Sequence, residues 1–142
     1  MTTIAYRDGI IAADSRTTWN GGHLGDVTKI AKNGKILAGS AGSASQCKLF
    51  LDWVLSGMMG DQPKLVADDY ELDAFVALPD GKIVFFNGQS SFPLKARFYA
   101  CGSGYQYALG AMSMGATAEE AVRIAAQHDT KTGGEIQTLT VT

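Results

Sequence analysis

Three tight-turn signals constrain the fold of this chain more than any other feature of its sequence. Asp8-Gly9, Asn33-Gly34 and Pro79-Asp80-Gly81 each stand between two short β-prone runs. Asn-Gly and Asp-Gly favour the tight turns of antiparallel hairpins, because these turns need residues that tolerate a positive φ. The sequence therefore predicts antiparallel sheets built largely from hairpins.

The runs around these turns define the predicted strands. Two polar stretches, residues 17–25 and 89–93, are predicted to be loops, and residues 64–71 fit no single pattern. Residues 10–13 and 83–86 are apolar without alternation, which is typical of strands buried on both faces. The predicted strands cover residues 3–6, 10–14, 27–31, 35–39, 73–78, 82–87, 95–101 and 136–141.

Apolar residues at helical spacing predict three helices. The first has one apolar face from Cys47 to Met58, with Ser43 or Ser45 as its N-cap and Gly60 at its end. The other two cover residues 105–114 and 117–128.

The order of these elements predicts the fold class. Four strands, a helix, three strands, two helices and a strand indicate an α+β layered domain, and residues 1–142 suit a single domain. Strands buried on both faces require two stacked sheets between helical layers. Thr117 and Glu120 form a capping box that fixes the start of the last helix.

Composition excludes several classes of function. The net charge is −2 and no basic run or stripe occurs, so neither nucleic acid nor an anionic membrane is expected as a partner. No segment approaches the roughly 18 apolar residues of a membrane span, and the N-terminus lacks a signal-peptide layout, so a cytoplasmic location is expected. Cys47, Cys101, His23 and His128 have no metal-ligand spacing, so no metal or other cofactor is predicted.

The first residues, Met1-Thr2-Thr3-Ile4, offer a second kind of signal. If Met1 is removed, Thr2 carries a hydroxyl nucleophile and a free α-amine on adjacent atoms. A threonine hydroxyl needs a base beside it, and a terminal amine with an ordinary pKa of about 8 can be that base. Many ordinary chains begin Met-Thr, so the prediction depends on what the rest of the sequence supplies.

The rest of the sequence supplies six short motifs in a fixed order. With these motifs the chain resembles proteasome β-type subunits and the HslV peptidase, which are N-terminal-nucleophile hydrolases. The resemblance covers essentially the whole chain and implies a four-layer αββα sandwich, here shortened. The motifs are Thr2-Thr3-Ile4, Ala13-Asp14-Ser15-Arg16, Lys29, Ala38-Gly39-Ser40-Ala41-Gly42, Gly102-Ser103-Gly104 and Asp129-Thr130-Lys131-Thr132-Gly133-Gly134.

The residues themselves support three of the implied roles. Asp14 ends a strand that a tight turn pairs with the strand beginning at Thr2, although it also fits a solvated strand-end carboxylate. Lys29 interrupts an apolar strand and needs a partner, although an edge lysine is the alternative. Gly42 opens the turn before the first helix, where backbone N–H groups can stabilise an oxyanion.

The resemblance assigns the remaining roles. Thr2 is the nucleophile of a threonine endopeptidase, Lys29 tunes its pKa, Asp14 orients Lys29, and whether the α-amine or Lys29 is the base stays open. Three residues are expected to support the amine: Ser103, Asp129 and Thr132. Five are expected to bind substrate, with Ser40 at the base of a roomy, uncharged pocket: Thr17, Val27, Ala31, Ser40 and Ala44.

The resemblance also implies partners. A peptide or unfolded protein is the expected substrate, a homo-oligomeric ring the expected assembly, and an ATPase unfoldase a possible partner. Residues 60–69 leave little room for a second long helix, which puts the ring contacts and ATPase docking in doubt. Two alternatives remain open: an inactive proteasome-like assembly module, and an N-terminal-nucleophile amidase acting on a small molecule.

Overall fold

The computed structural model describes residues 2–63, 72–87 and 90–142. These residues form a mixed α/β structure with three antiparallel sheets and three helices; residues 64–71, which fit no sequence pattern, lie outside the described residues. The strands are β1 Thr3–Arg7, β2 Ile10–Ala13, β3 Arg16–Trp19, β4 Gly22–Asp26, β5 Ile30–Asn33, β6 Ile36–Ala41, β7 Asp73–Ala77, β8 Ile83–Asn87, β9 Ser90–Leu94, β10 Phe98–Gly102 and β11 Gln137–Thr140. The helices are α1 Ala44–Leu55, α2 Tyr105–Ser113 and α3 Ala118–His128.

Two larger sheets and one hairpin organise the strands. The first sheet has the order β10-β1-β2-β11, the second β5-β6-β7-β8-β9, and β3 pairs only with β4 among the described strands. Asp8 and Gly9 have φ values of 52° and 77°, as a tight hairpin turn between β1 and β2 requires. The turn sets a register in which Ile4 faces Ala13. The three predicted hairpins are therefore present.

The largest apolar cluster lies between the two larger sheets. Ile4 and Ile11 of the first sheet pack with Leu37, Phe75 and Ile83 of the second, and all five side chains are fully buried. Burial of apolar surface on this scale is the main favourable term in folding. The cluster fixes the two sheets against each other.

The outer faces of the two sheets are covered by helices. Phe50 of α1 packs against Phe86 of the second sheet. Ala12 of the first sheet packs with Met112 of α2 and Val122 of α3. Neighbouring residues of β2 thus point into different clusters, which is why this strand is apolar without alternation. Within the described ranges, no helix is long and apolar enough to cross a membrane.

Two stretches predicted to be loops are strands, so those predictions were wrong. Residues 17–25 belong to the β3–β4 hairpin, whose turn is Asn20-Gly21 with φ values of 50° and 80°. Asn-Gly is itself a hairpin signal, but its polar flanks hide the strands. Residues 90–94 form the edge strand β9, where Pro93 is tolerated because an edge strand leaves N–H groups unpaired.

Helix α1 ends earlier than predicted, at Leu55 instead of near Gly60. Gly57 adopts a left-handed conformation with φ of 88°. Its N–H donates to Val54 O at 3.0 Å, and Met58 N–H donates to Trp53 O at 2.9 Å. This pair of bonds is the Schellman motif, which closes a helix by satisfying its last carbonyl groups.

Strand β5 also begins later than predicted. It starts at Ile30, so Val27 and Lys29 precede the strand instead of lying within it. The backbone is nevertheless fixed there, because Ser40 N–H donates to Lys29 O at 3.2 Å and Val27 N–H donates to Ser15 O at 2.8 Å. Lys29 therefore lies on a segment of fixed backbone just before the second sheet.

Candidate active site

Thr2 lies just before β1, and only 4% of its surface is exposed. In β1, the residue after Thr2 is Thr3, which pairs with Gly102 of β10. Beyond that pair, Gly104 N–H donates to Thr2 O at 3.3 Å. The turn between β10 and α2 therefore holds the backbone of Thr2 in place.

Two glycines of that turn are required by close approach of the N-terminal residues. Gly102 has φ of +97°, and a Cβ atom there would collide with the carbonyl group of Thr2. A Cβ atom on Gly104 would collide with the side-chain oxygen of Thr3. Only glycine suits either position, since a larger residue would displace the segment that carries Thr2.

Asp14 follows β2 and is completely buried. Its carboxylate accepts three hydrogen bonds: from Thr3 N–H at 3.0 Å, from Lys29 Nζ at 3.0 Å and from Gly133 N–H at 3.0 Å. A buried carboxylate is tolerable only when paired and hydrogen-bonded in this way. Asp14 therefore joins the N-terminal strand to Lys29 and to the loop after α3.

Lys29 is 4% exposed and reaches Asp14 from the second sheet. Its Nζ also donates to the backbone carbonyl of Arg16 at 2.6 Å. Burial lowers the pKa of the Lys29 ammonium, and the Asp14 carboxylate offsets this only in part. Lys29 is thus held in a fixed position and loses a proton more readily than an ordinary lysine.

A second carboxylate, Asp129, lies on the other side of Thr2. Its Oδ2 accepts hydrogen bonds from Ser103 Oγ and Thr132 Oγ1, both at 2.6 Å. Burial raises the pKa of Asp129, but the hydrogen bonds from these two hydroxyls, together with that from Lys131 N–H and the positive N-terminus, hold the pKa below its ordinary value. Thr2 N donates to Ser103 Oγ at 3.2 Å, which connects the Thr2 nitrogen to this anionic centre.

Local backbone structure places Asp129 there. It is the C-cap of α3, with its N–H donating to Ala125 O at 2.7 Å, and its Oδ1 accepts from Lys131 N–H at 3.1 Å. A negative charge is unfavourable at a helix C-terminus. The hydroxyl and N–H donors around Asp129 compensate for that position.

Thr2, Lys29 and Gly42 line one cleft of about 1330 Å³. The cleft runs between the β3–β4 hairpin and α1, with Trp19 and Leu55 among its walls. The residues predicted to bind substrate also line it: Thr17, Val27, Ala31, Ser40 and Ala44. A mostly apolar cleft that holds a few polar groups is typical of a binding site.

The charged residues that line this cleft are all cationic. They are Arg16, Lys29 and Lys48, and no carboxylate is among the described residues of the lining. Lys48 is largely exposed and pairs with Asp52 at 2.8 Å, while the Arg16 guanidinium lies over Gly133. Lys29 and Lys48 are each paired with a carboxylate, so what the described lining shows is that a basic ligand would find no carboxylate partner there.

Of the residues predicted to be catalytic, hydrogen bonds bring together Thr2, Ser103, Asp129 and Thr132 as one set, and Asp14 with Lys29 as another. Gly42 lies two residues before α1 and has φ of 136°. The side-chain cap expected from Ser43 is absent, because its Oγ lies against Ser45 Oγ at 3.2 Å.

Sequence reasoning missed three contributors, Thr3, Gly104 and Gly133. The signal for the glycines is their position beside Ser103 and Thr132. Thr3 belongs to the motif Thr2-Thr3-Ile4, but the sequence assigns it no role, since its partners are distant in the chain.

The cysteines are poor candidates for a nucleophile. Burial raises the pKa of the Cys47 thiol, and it raises that of the Cys101 thiol strongly. Cys47 lines the cleft, and its carbonyl group accepts from Ser40 Oγ at 3.3 Å. Over residues 2–63, 72–87 and 90–142, no group of three or more His, Cys, Asp or Glu residues could hold a metal ion.

No protein-family model matches this chain, and no curated protein sequence matches it. Among solved structures, BPH of Thiobacillus denitrificans in complex with epoxomicin is similar, with a TM-score of 0.70 and 24% identity over 99% of this chain and 98% of that one. A second structure of Thiobacillus denitrificans BPH has a TM-score of 0.65 and 25% identity over the same shares. The chain therefore shares the fold of these bacterial proteins along its whole length.

Proposed function

We propose that this protein is a threonine-type N-terminal-nucleophile hydrolase that cleaves peptide bonds, with the four-layer αββα sandwich of that group. The observation that carries the proposal is the placement of the Thr2 nitrogen. Thr2 lines the cleft, and its nitrogen is hydrogen-bonded to Ser103 and through it connected to the anionic Asp129. A general acid–base pair needs this kind of fixed geometry.

In the proposed reaction, Thr2 Oγ1 attacks the substrate carbonyl carbon while its proton passes to the α-amine or to Lys29. The resulting oxyanion is stabilised by the N–H of Gly42, and the leaving amine takes the proton as the peptide bond breaks. Water then hydrolyses the ester on Thr2 by the same proton transfers in reverse.

The surrounding hydrogen bonds prepare these steps. Ser103 donates its proton to Asp129, so its oxygen accepts an N–H of the Thr2 amine and fixes the direction of the nitrogen lone pair. Lys29, whose pKa is lowered by burial and whose Nζ is bonded to Asp14, favours the alkoxide as a positive charge or, once it has lost its proton, acts as the base.

Met1 must be removed for this chemistry. While Met1 is attached, the Thr2 nitrogen is a peptide amide whose lone pair is delocalised, so it cannot take a proton. Removal creates the amine at the position that already donates to Ser103. The site is thus arranged for the amine that the mature chain would carry.

The structural comparison supports the same proposal. BPH of Thiobacillus denitrificans, which shares this fold, has been solved with epoxomicin, an inhibitor of proteasomes. We therefore expect this chain to accept an inhibitor of that class at Thr2.

Assembly and setting are part of the proposal. A homo-oligomeric ring in the cytoplasm would keep a peptidase of low specificity away from folded proteins, with unfolded protein as its substrate and an ATPase unfoldase as a partner. Large apolar side chains that are more than half exposed and do not line the cleft, such as Met59 and Met114, suit burial between subunits. Light scattering that finds a monomer at micromolar concentration would count against a ring.

Labelling of the purified protein tests the function. Intact mass first establishes whether Met1 has been removed, and epoxomicin or a peptide vinyl sulfone is then added. One adduct per chain at Thr2, found by peptide mapping and absent from Thr2→Ala, is the expected result. Labelling at Ser103 or Cys101, or hydrolysis by protein that retains Met1, would reject the mechanism. Absence of any adduct on Met1-free protein would favour the inactive assembly module.

A further inference from the structure

The side chain of Thr3 is a buried polar group with no part in the reaction described above. It is completely inaccessible to solvent, and its Oγ1 lies 2.8 Å from Thr132 Oγ1. Gly104 leaves it the space it occupies, since any Cβ there would collide with this oxygen. Its backbone N–H donates to Asp14. Thr3 therefore contacts Asp14 directly and Asp129 through Thr132, and it does not line the cleft.

The direction of each hydrogen bond follows from the charge on Asp129. An ionised carboxylate only accepts, so the single hydroxyl protons of Ser103 and Thr132 both point at Asp129 Oδ2. The contact of Ser103 with Thr2 O, at 3.3 Å, is longer and lacks that charge. With its own proton committed, Thr132 Oγ1 can only accept from Thr3. The Thr3 hydroxyl must be the donor.

We infer that Thr3 is a positioning residue. It is the first donor of a chain of hydroxyl groups that runs through Thr132 to Asp129. This chain fixes the Asp129 carboxylate, which accepts from Ser103, and Ser103 in turn accepts from the Thr2 amine. Hydrogen bonds in such a chain strengthen one another, because each donor is polarised by the group that donates to it. The inference rests on the proposed function, since the group finally positioned is the Thr2 amine.

Thr3 also connects this chain of hydroxyl groups to the half of the site that contains Asp14 and Lys29. Its N–H holds Asp14, the partner of Lys29, while its hydroxyl acts on the Asp129 side. Removing the hydroxyl leaves the backbone contact intact. A side-chain substitution therefore separates the two contributions, which is what makes the inference testable.

The test is a double-mutant cycle with Thr3→Val and Thr132→Val, measured as epoxomicin labelling of Met1-free protein. Valine matches threonine in shape and removes only the hydroxyl. For Thr3→Val we expect the maximal labelling rate to fall about tenfold, the rate equivalent of one buried hydrogen bond. The concentration for half-maximal labelling should not change, because Thr3 does not line the cleft. Thr3→Ser should restore the rate.

Energetic coupling between Thr3 and Thr132 shows whether Thr3 acts through Thr132. If Thr3 acts through Thr132, adding Thr3→Val to Thr132→Val should not lower the rate further. The double variant should also be at least as stable as Thr132→Val, which leaves the Thr3 donor buried without an acceptor. Thr140→Val makes the same chemical change on β11, away from this hydroxyl chain, and should label like the wild type.

Several outcomes would overturn the inference. One is a Thr3→Val protein that labels at the wild-type rate, and another is a rate that falls by the same factor with or without Thr132. If Thr3→Val does not fold, Thr3→Ser and Thr3→Ala replace it, and equal rates for these two would have the same consequence. Wild-type protein that is not labelled at Thr2 would instead reject the proposed function, and the inference with it.

Discussion

Strands β1 and β2 contribute to two buried interiors, one apolar and one polar. In their middle, Ile4 and Ile11 pack between the sheets in an apolar cluster. At the end beyond it, Thr3 and Asp14 are equally buried, but every contact described for them is a directed hydrogen bond. One pair of strands thus provides a core and a site within a few residues.

The two interiors differ in how far their energetics depend on the exact direction of each contact. Apolar burial stabilises in proportion to area, roughly 25 cal/mol per Å², and does not depend on direction. A buried carboxylate must have donors at fixed positions, and its net contribution to stability is small or unfavourable. Changes in the apolar region should therefore affect stability and not reactivity. Changes at the polar end should affect reactivity, and should affect stability only where a buried charge loses its partner.

The largest expected effect is at Thr2. Thr2→Ala should abolish hydrolysis completely, because it removes the nucleophile, while the melting temperature stays near that of the wild type. Thr2→Ser should keep part of the activity, since it retains the hydroxyl and loses only the methyl group that restrains its rotamer. Cleavage of a fluorogenic peptide and thermal denaturation measure the two properties. A large loss of stability in Thr2→Ala would erase the contrast between the two interiors.

Lys29 should show the next largest effect. Lys29→Ala should lower the hydrolysis rate by about a thousandfold or more, as expected for loss of a proton-transferring or charge-stabilising group. It should also cost about 3 kcal/mol of unfolding free energy, because Asp14 stays buried without its cation. Lys32→Ala and Lys35→Ala, at exposed positions, are matched controls and should be nearly silent. Full activity in Lys29→Ala would mean that another cation serves Thr2.

The apolar region should behave in the opposite way. Ile11→Ala should lower the free energy of unfolding by about 2–5 kcal/mol, because it leaves a cavity between the sheets. The rate per folded molecule should stay close to that of the wild type. Leu49→Ala, on the exposed side of α1, should cost less than about 0.5 kcal/mol. Urea denaturation and active-site titration separate stability from rate, and a collapse of the rate in folded Ile11→Ala would contradict the division.

The cleft gives a smaller effect, on specificity. Peptides with leucine before the cleaved bond should react roughly tenfold faster than those with arginine, because the described lining of the cleft is largely apolar and holds no carboxylate. Lys48→Glu should reduce that preference, and Lys82→Glu, exposed on a distant turn, should leave it unchanged. An arginine preference in the wild-type protein would show that the charges of the lining do not select substrate.

The hairpins and the helical order could be predicted from sequence because turn chemistry and apolar periodicity are local. The β3–β4 hairpin was missed, although Asn20-Gly21 signals it, because an exposed hairpin needs no apolar alternation. The early end of α1 at Gly57 was missed because Gly60 is an equally good terminator by sequence. Local patterns do not choose between two suitable signals; packing does.

The candidate site divides in the same way. The resemblance named Asp14, Lys29 and Asp129. In the structure Asp14 is hydrogen-bonded directly to Thr3, Lys29 is bonded to Asp14, and Asp129 is connected to Thr2 through Ser103. Thr3 could not be predicted, because its role depends on Thr132, which lies 129 residues further along the chain. Direction and donor order are properties of the three-dimensional arrangement, and a linear sequence does not contain them.

The smallest expected effect concerns acid stability, and it isolates Asp129 at the polar end. Its pKa lies below the ordinary value of 3.8, so the native state binds a proton less readily than the unfolded chain. The carboxylate therefore stabilises the fold above pH 3.8, and this contribution is lost as the pH falls through the native pKa. Asp129→Asn should be less stable at neutral pH but should lose stability less steeply in acid. Parallel curves of unfolding free energy against pH for the two proteins would show that the hydroxyls of Ser103 and Thr132 do not favour the ionised form.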